Sequence, residues 1–382
     1  MKHTYQFAIM LLLASAAVVA QESTPRVYRS GYEWIEESTG SLAAAKSLRV
    51  KTSSGAIQVQ GNQQNGVTYT VRKHVRASSE EGARREFGRL RIYASNSAEG
   101  GIIRGERENY VRGSIDFDIQ LPRQISFVRL ETGSGHLLAR NITGKVEALT
   151  GGSAIQLDEI GGDVHARSGG GDIEIGKAGG DVRVETGGGG IHIGSAGGKV
   201  VAISGGGELS VGSAQAMILQ TGAGAIHVNK CTGEVTASTG GGSVDLSEVG
   251  HARVSSGGGS IRAIRIAGGL RVETGSGPIV VDLAATRGSF TESRLETAAG
   301  DIVVYIPDDL GITIRAAVEL ANGEGIDSKD FPGLQVSHSS QQLGPRESWA
   351  EGSLNGGGPL LHVHTTTGTI TFKHREKTNA SR

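Results

Sequence analysis

Apolar and polar residues alternate in short segments along most of the chain. In residues 182–185 two valines alternate with Arg183 and Glu185, and in residues 191–193 two isoleucines flank His192. A period of two is typical of a β-strand that has one buried and one exposed face. The valines and isoleucines are therefore predicted to point inward, and the polar residues between them outward.

This pair of strands recurs at a nearly constant interval. Five consecutive copies of eighteen residues begin at Phe127, Lys145, Asp163, Asp181 and Lys199. The starts then drift slightly, and further copies begin at positions 217, 234, 251 and 270. Related single copies begin at positions 48, 294 and 361. A fixed period of this kind is typical of repeat architectures, in which neighbouring units stack to bury their apolar faces.

Glycine-rich segments separate the two strands of each copy. Residues 187–190 are all glycine, and the second strand of that copy ends in SAGG. Glycine permits sharp corners and close approach of stacked backbones. The sequence thus predicts an all-β fold, a parallel β-solenoid with coils of about 18 residues and Gly-rich corners. Twelve coils at ~4.8 Å each would give a rod on the order of 60 Å long.

Both ends of the chain depart from this repeat. Residues 21–126 hold most of the aromatic side chains that remain once a signal peptide at residues 1–20 is removed, together with two long strand patterns and a short helix pattern within residues 78–94. They predict an N-terminal β-rich cap with a first repeat-like coil. Residues 127–285 form the regular Gly-rich β-solenoid, and residues 286–382 the C-terminal coils and cap, with residues 337–359 as a loop. Caps are expected because open strand edges recruit other chains.

Two segments resemble a known family. The first segment has a strand, then LP, then TGSG, in the sequence FDIQLPRQISFVRLETGSGHL. The second has NGGG before a TTTGTI-type strand, in the sequence SLNGGGPLLHVHTTTGTITF. This combination is similar to the bacterial putative-adhesin family of β-strand repeat proteins of the cell envelope, a domain of unknown function. The resemblance covers roughly residues 48–372. It implies an exported β-solenoid and supplies no catalytic residues.

The N-terminus predicts export. Basic residues 2–3 precede an apolar run from about residue 7 to residue 19, and Ala20 ends a small-residue cleavage site. This is the pattern of a secretory signal peptide at residues 1–20. We expect a protein of the periplasm, the cell envelope or the extracellular space, with no transmembrane segment after signal cleavage. The formal net charge of −1 does not indicate the concentrated basic face that nucleic-acid binding needs.

The corners do not match those of calcium-binding β-rolls. Such rolls need an aspartate at a fixed place after the glycines, and two of the nine residues there, Asp172 and Glu208, are acidic. The other seven are His136, Ala154, Gly190, Ala225, Ser243, Ser260 and Pro278. Calcium needs several oxygen ligands in each site, so no calcium site is predicted.

Histidines are the remaining candidates for a metal. His192 and His227 occupy equivalent outward positions two coils apart, about 9.6 Å at the strand spacing, which is too far to share one ion at ~2 Å per bond. His362 and His364 lie on one face of a strand and are interpreted as exposed strand residues. No metal and no cofactor is predicted.

No catalytic constellation is evident. Cys231 is the only cysteine and lies beside no evident base, so it is interpreted as a small packed residue. A glycosidase needs paired carboxylates beside a cleft. The outward residues of the second strands are instead mixed: Gln156, Glu174, His192, Ser210, His227, Asp245 and Arg262.

These observations favour a non-catalytic structural, adhesion or interaction module that presents side chains along a stiff rod. Arg183, Glu185, Arg253 and Arg271 are candidate outward residues of the first strands, without a stripe of one charge. The partner is expected to be an envelope polysaccharide, peptidoglycan or protein. A carbohydrate-active enzyme on a parallel β-helix and a self-assembling scaffold remain as alternatives, and the oligomeric state is open.

Overall fold

The structure, a computed structural model, describes residues 24–97, 100–108, 111–321, 325–339 and 346–375. The predicted signal peptide at residues 1–20 lies outside these ranges. The described part of the chain is nearly all β, with thirty-two strands and one eight-residue helix. The N-terminal elements are β1 Arg26–Ser30, β2 Glu33–Leu42, β3 Ser47–Thr52, β4 Ile57–Asn62, β5 Val67–Val75, α1 Glu80–Phe87, β6 Leu90–Ser97, β7 Gly100–Arg107 and β8 Gly113–Pro122.

The repeats supply the next strands, two to a coil. They are β9 Phe127–Thr132, β10 Leu137–Ile142, β11 Lys145–Thr150, β12 Ile155–Ile160, β13 Val164–Ser168, β14 Ile173–Ala178, β15 Val182–Thr186, β16 Ile191–Ala196, β17 Lys199–Ser204, β18 Leu209–Ala214, β19 Ala216–Thr221, β20 Ile226–Thr239, β21 Val244–Ser256, β22 Ile261–Ile266, β23 Leu270–Thr274, β24 Ile279–Leu283, β25 Ser293–Ala299 and β26 Ile302–Ile306. The C-terminal strands are β27 Ile312–Leu320, β28 Ile326–Asp327, β29 Gln335–His338, β30 Ser348–Leu354, β31 Leu360–Thr367 and β32 Ile370–His374.

Neighbouring coils pair in parallel and build two stacks of strands. The first sheet contains the first strand of each coil, in the order β6-β7-β3-β9-β11-β13-β15-β17-β19-β20-β21-β23-β25-β31-β27-β30-β29. The second sheet contains the second strand of each coil, in the order β1-β2-β5-β8-β4-β10-β12-β14-β16-β18-β20-β21-β22-β24-β26-β32-β28. β20 and β21 run through both sheets, because each continues without a break from the second strand of one coil into the first strand of the next.

The register follows the eighteen-residue repeat. Val182 pairs with Val164 in one neighbouring coil and with Val200 in the other. The inward residues form a narrow core of Val, Ile, Leu and Ala, in which Val184 and Ile191 are both 0% exposed. Each fully buried Val, Ile or Leu side chain contributes about 1.5–3 kcal/mol by leaving water. The predicted parallel β-solenoid is thereby confirmed.

The second strand of a coil bends before it ends. In β10, β12 and β22 two consecutive outward residues precede a buried isoleucine. The residues at the bend, Asn141, Glu159 and Arg265, have φ of 57°, 51° and 55°. This left-handed backbone turns the following isoleucine into the core, because an unbroken alternation would point it outward.

Antiparallel strands and one helix close the N-terminal end. β1, β2, β5 and β8 pair antiparallel in that order, and β6 runs antiparallel to β7. The predicted helix is α1, whose first N–H groups are capped by Ser79: its hydroxyl accepts the Gly82 N–H at 3.2 Å. Phe87 on α1 and Phe117 on β8 are among the largest fully buried side chains. The boundaries expected at residues 126/127 and 285/286 stay predictions.

The C-terminal coils do not stack in chain order. β31 and β32 pair directly with β25 and β26, and β27 lies beyond β31. The loop expected at residues 337–359 is wrong in part, because β30 within it pairs antiparallel with β27 and extends the first sheet. The segment between β26 and β31 contributes β27 and β30, which continue the first sheet beyond β31. The spacing of its apolar residues does not predict this pairing.

Candidate functional site

The outward face of the first sheet holds side chains in fixed columns. Arg183 and Glu185 point outward from β15 and define two columns, because each residue lies over its equivalent in the next coil. We call the column through Arg183 the outer-first column and the column through Glu185 the outer-second column. Neighbouring members are about 4.8 Å apart, the spacing of paired strands.

Five basic or imidazole side chains are consecutive in the outer-first column. We call this set the arginine column: Arg253, Arg271, Arg294, His362 and Arg315. The sequence analysis expected no stripe of one charge, and the register places three arginines, Arg253, Arg271 and Arg294, next to one another in this segment. The sequence hides the rest of the column because His362 and Arg315 enter it through the out-of-order stacking of β31 and β27.

Carboxylates accompany the arginine column. Arg271 lies 2.7 Å from Glu273, Arg294 pairs with Glu296, and Arg315 lies 2.9 Å from Glu351. The hydrogen bond from Arg294 lowers the pKa of Glu296. The arginine column is thus a charged, largely neutralised surface. Exposed pairs of this kind contribute little to stability and leave charged groups available to a partner.

An apolar patch lies in the middle of the same face. Val201, Ile203 and Ile218 occupy outward positions and are only half-buried. They follow directly after Arg183 and Glu185 in the two columns. The loss of alternation in residues 200–203 was the signal for this patch, and the sequence analysis missed it.

Hydroxyl groups line the first corner of each coil. Thr186 is 6% exposed, and its Oγ1 donates to the Gly171 carbonyl of the previous coil at 2.8 Å. Ser204 donates in the same way to Gly189 at 2.8 Å and accepts the Gly207 N–H at 2.9 Å. The sequence signal for these hydroxyl groups is the Thr or Ser that precedes each glycine run. Equivalent donors are Thr132, Thr150, Ser168, Thr221, Thr239, Ser256, Thr274, Thr297 and Thr365.

The second sheet presents the mixed outward column that the sequence lists. Gln156, Glu174, His192, Ser210, His227, Asp245 and Arg262 are consecutive in register. Ser210 separates His192 from His227. His227 instead lies 3.3 Å from Asp245 and 3.9 Å from Glu208.

Two corner aspartates bind backbone N–H groups of the next coil. Asp172 Oδ1 accepts the Gly190 N–H of the next coil at 2.8 Å, and Asp181 accepts the Lys199 N–H at 2.8 Å. Across the described ranges, no cluster of three or more His, Cys, Asp or Glu side chains is placed to hold a metal ion.

The histidines of β31 are half-buried, not exposed as the sequence analysis expected, and they face neighbouring charges. The rings of His362 and His364 are stacked with centroids 6.4 Å apart, and His364 Nε2 lies 3.1 Å from Glu319 Oε1. Burial, and then the charge of Arg294, lowers the pKa of His362. His362 is accordingly favoured as the neutral imidazole inside the arginine column.

Cys231 lies in the core. It is 2% exposed, and its Sγ lies 3.4 Å from the Gln215 carbonyl oxygen, to which it donates. Burial raises the pKa of this thiol. A buried, protonated thiol has little nucleophilic character.

The N-terminal end contains a histidine between two acids. His74 Nε2 lies 3.3 Å from Asp116 Oδ2, and His74 Nδ1 lies 3.5 Å from Glu33 Oε2. Interaction with Asp116 raises the pKa of His74 against the opposing effect of burial. Burial opposes ionisation of Asp116, yet His74 and the Ala56 N–H at 2.9 Å together lower its pKa. This group ties β5 to β2, β8 and the first corner, and sequence spacing did not indicate it.

Within the residues that the structure describes, no helix is both long and apolar enough to span a membrane.

Comparison with known proteins gives two structural neighbours. No protein-family model and no curated protein matches the chain. A solved structure described as a putative cell adhesion protein from Clostridium sporogenes ATCC 15579 is 10% identical, with a TM-score of 0.18, over 89% of this chain and 100% of that one. One described as a putative adhesin from Bacteroides fragilis NCTC 9343 is 8% identical, with a TM-score of 0.26, over 89% of this chain and 97% of that one. At these values neither similarity supports an argument about function.

Proposed function

We propose that this protein is an exported, non-catalytic adhesion or interaction module of the cell envelope. The observation that supports this is the register of the first sheet, which holds outward side chains in columns along a stiff stack of coils. A partner with a repeating surface can contact several coils at once, so that many weak contacts add together.

The first sheet is the proposed contact face. It presents an apolar patch between charged segments, and partly exposed apolar residues rimmed by polar ones are typical of interaction sites. The second sheet instead presents a mixed polar column with exposed glycines at positions 176 and 194.

Binding to separated envelope fractions tests this function. Protein purified from cells that express residues 1–382 is mixed with peptidoglycan, outer membrane, surface polysaccharide or soluble periplasm. We expect saturable binding to one fraction. An absence of saturable binding to every fraction would refute the proposal, and so would turnover of a glycan that one substitution abolishes.

A bulky label identifies the face. In a Cys231→Ser background, Gln220→Cys on the first sheet and His192→Cys on the second sheet are each coupled to polyethylene glycol. Both positions are exposed. The label at position 220 is expected to block binding, while the label at position 192 leaves it unchanged. The opposite result would assign the contact to the second sheet.

A further inference from the structure

Two adjoining cavities form a groove at the N-terminal end of the first sheet. One has a volume of about 360 Å³ and the other of about 420 Å³, and Lys51 and Glu131 line both. The groove crosses β7, β3, β9, β11 and β13 in the order in which these strands pair. At the strand spacing its length along the rod is on the order of 19 Å.

Positive charge dominates the lining. It contains one carboxylate, Glu131, and five cationic side chains: Arg49, Lys51, Arg104, Arg129 and Arg167. These cations lie on neighbouring strands, because Lys51 pairs in register with Arg104 and Arg49 pairs with Arg129. Like charges this close repel each other, so an anion placed between them relieves the repulsion.

Three of the five cations are paired with carboxylates. Lys51 lies 3.0 Å from Glu131, and Arg129 pairs with the same carboxylate. Arg129 also lies 3.0 Å from Glu147, and Arg167 lies 3.1 Å from Glu185. Burial opposes ionisation of Glu131, but its hydrogen bonds with Lys51 and Arg129 lower its pKa, and it stays a carboxylate.

The other two cations, Arg49 and Arg104, have no such partner. Both are exposed and form no ion pair or hydrogen bond with a described residue. Their guanidinium groups are free to bind an external anion.

An exposed aromatic ring lies one strand beyond the residues that line the groove. Tyr93 on β6 lies opposite Arg104 in register and is 48% exposed. Its ring offers an apolar face with a polar tip. An exposed ring beside a free arginine suits a ligand that has both an anionic group and an apolar ring face.

We propose that this groove binds a linear polysaccharide that carries carboxylate groups. A guanidinium group matches a carboxylate in a two-bond geometry, and Tyr93 provides a surface for a sugar ring. The groove runs along the stack of coils, which suits a polymer rather than a compact ligand. A nucleic acid fits less well, because its closely spaced phosphates need a broadly basic protein and the chain has a net charge of −1. This inference rests on the proposed function and names the class of its partner.

Binding to polygalacturonate tests the groove, with the fully methyl-esterified polymer as the uncharged control. Titration calorimetry on the full chain is expected to show binding to the acid form that weakens as salt is added, and little binding to the ester. Arg49→Ala and Arg104→Ala are expected to weaken binding by about tenfold each. The matched control is the pair Arg140→Ala and Arg262→Ala, which removes two exposed arginines from the second sheet and is expected to leave binding unchanged.

Three results would overturn the inference: no binding of the wild-type protein to polygalacturonate, equal binding of the ester, or unchanged binding by the double variant Arg49→Ala/Arg104→Ala. Tighter binding of polyuridylate than of polygalacturonate would assign the groove to a nucleic acid instead. Far-ultraviolet circular dichroism of each variant separates loss of contact from loss of fold. If the double variant still binds an envelope fraction as the wild-type protein does, the groove proposal fails while the proposed function stands.

Discussion

Two neighbouring glycines in one corner provide a sharp test of the stacking. A Cβ atom added at Gly187 would lie 2.1 Å from the Gly169 carbonyl oxygen of the coil below, whereas one added at Gly188 would meet nothing within 4 Å. Neither residue has a left-handed φ. Gly187→Ala and Gly188→Ala therefore add the same methyl group to the same corner, and only the first collides with backbone.

The structure allows the difference in stability between these two variants to be estimated. Relief of the contact at position 187 requires the two coils to separate locally by roughly 1 Å, and forced overpacking costs about 1–3 kcal/mol. The same separation would stretch the 2.8 Å bond from Thr186 to the Gly171 carbonyl, a loss of about 1 kcal/mol. Gly188→Ala should instead stabilise by about 0.4–1 kcal/mol, because alanine restricts the unfolded chain. The two variants should differ by about 3 kcal/mol.

Urea denaturation and hydrogen exchange measure this difference. The stability of stacked repeats is a sum of local terms, so the exchange of individual amides is the more direct probe. The Gly205 N–H, which donates to the Thr186 carbonyl at 3.1 Å, should exchange roughly 100-fold faster in Gly187→Ala and no faster in Gly188→Ala. Equal exchange rates and equal urea midpoints in the two variants would refute the close stacking of the corners.

Two further predictions concern polar side chains, one buried and one pair half-buried. Thr186→Val keeps the shape of the side chain but leaves the Gly171 carbonyl without its donor. We expect the free energy of unfolding to fall by about 1–3 kcal/mol, measured by urea denaturation. An unchanged midpoint would contradict the hydroxyl contact. The raised pKa of His74 and the lowered pKa of Asp116 make their interaction most stabilising between about pH 4 and pH 6.5, the range between the pKa values of the unfolded chain. The stability difference between wild type and His74→Gln should therefore shrink as the pH rises through the raised pKa of His74, and a difference that stays constant from pH 6 to pH 9 would rule this out.

The repeat itself was predictable because its signals are local. Alternation fixes which side chains point inward, as with Val182 and Val184, and each glycine run marks a corner. The helix over residues 80–87 was also predictable from the sequence, because acidic residues begin it and basic residues end it. In each case the relevant contacts lie within one coil or one turn of helix.

The candidate site was only partly predictable. Arg253 and Arg271 were named as outward residues, and their register confirms that they are neighbours. The continuation through His362 and Arg315 was missed, since these residues are remote in sequence and stack out of order. The free cations Arg49 and Arg104 belong to adjacent coils but lie 55 positions apart in the chain, and no spacing rule links them.

The sequence by itself determined the class of fold, the length of the coil and the direction of the side chains within the alternating segments, because these depend on interactions between residues a few positions apart. Only the tertiary structure decided which coil lies on which, and hence which charges share a surface. β7 stacks outside β3 and β31 stacks inside β27, so the order of the coils is not the order of the chain. Strand pairing between distant segments depends on long-range complementarity of edges and cores, and the basic groove and the arginine column are both products of that pairing.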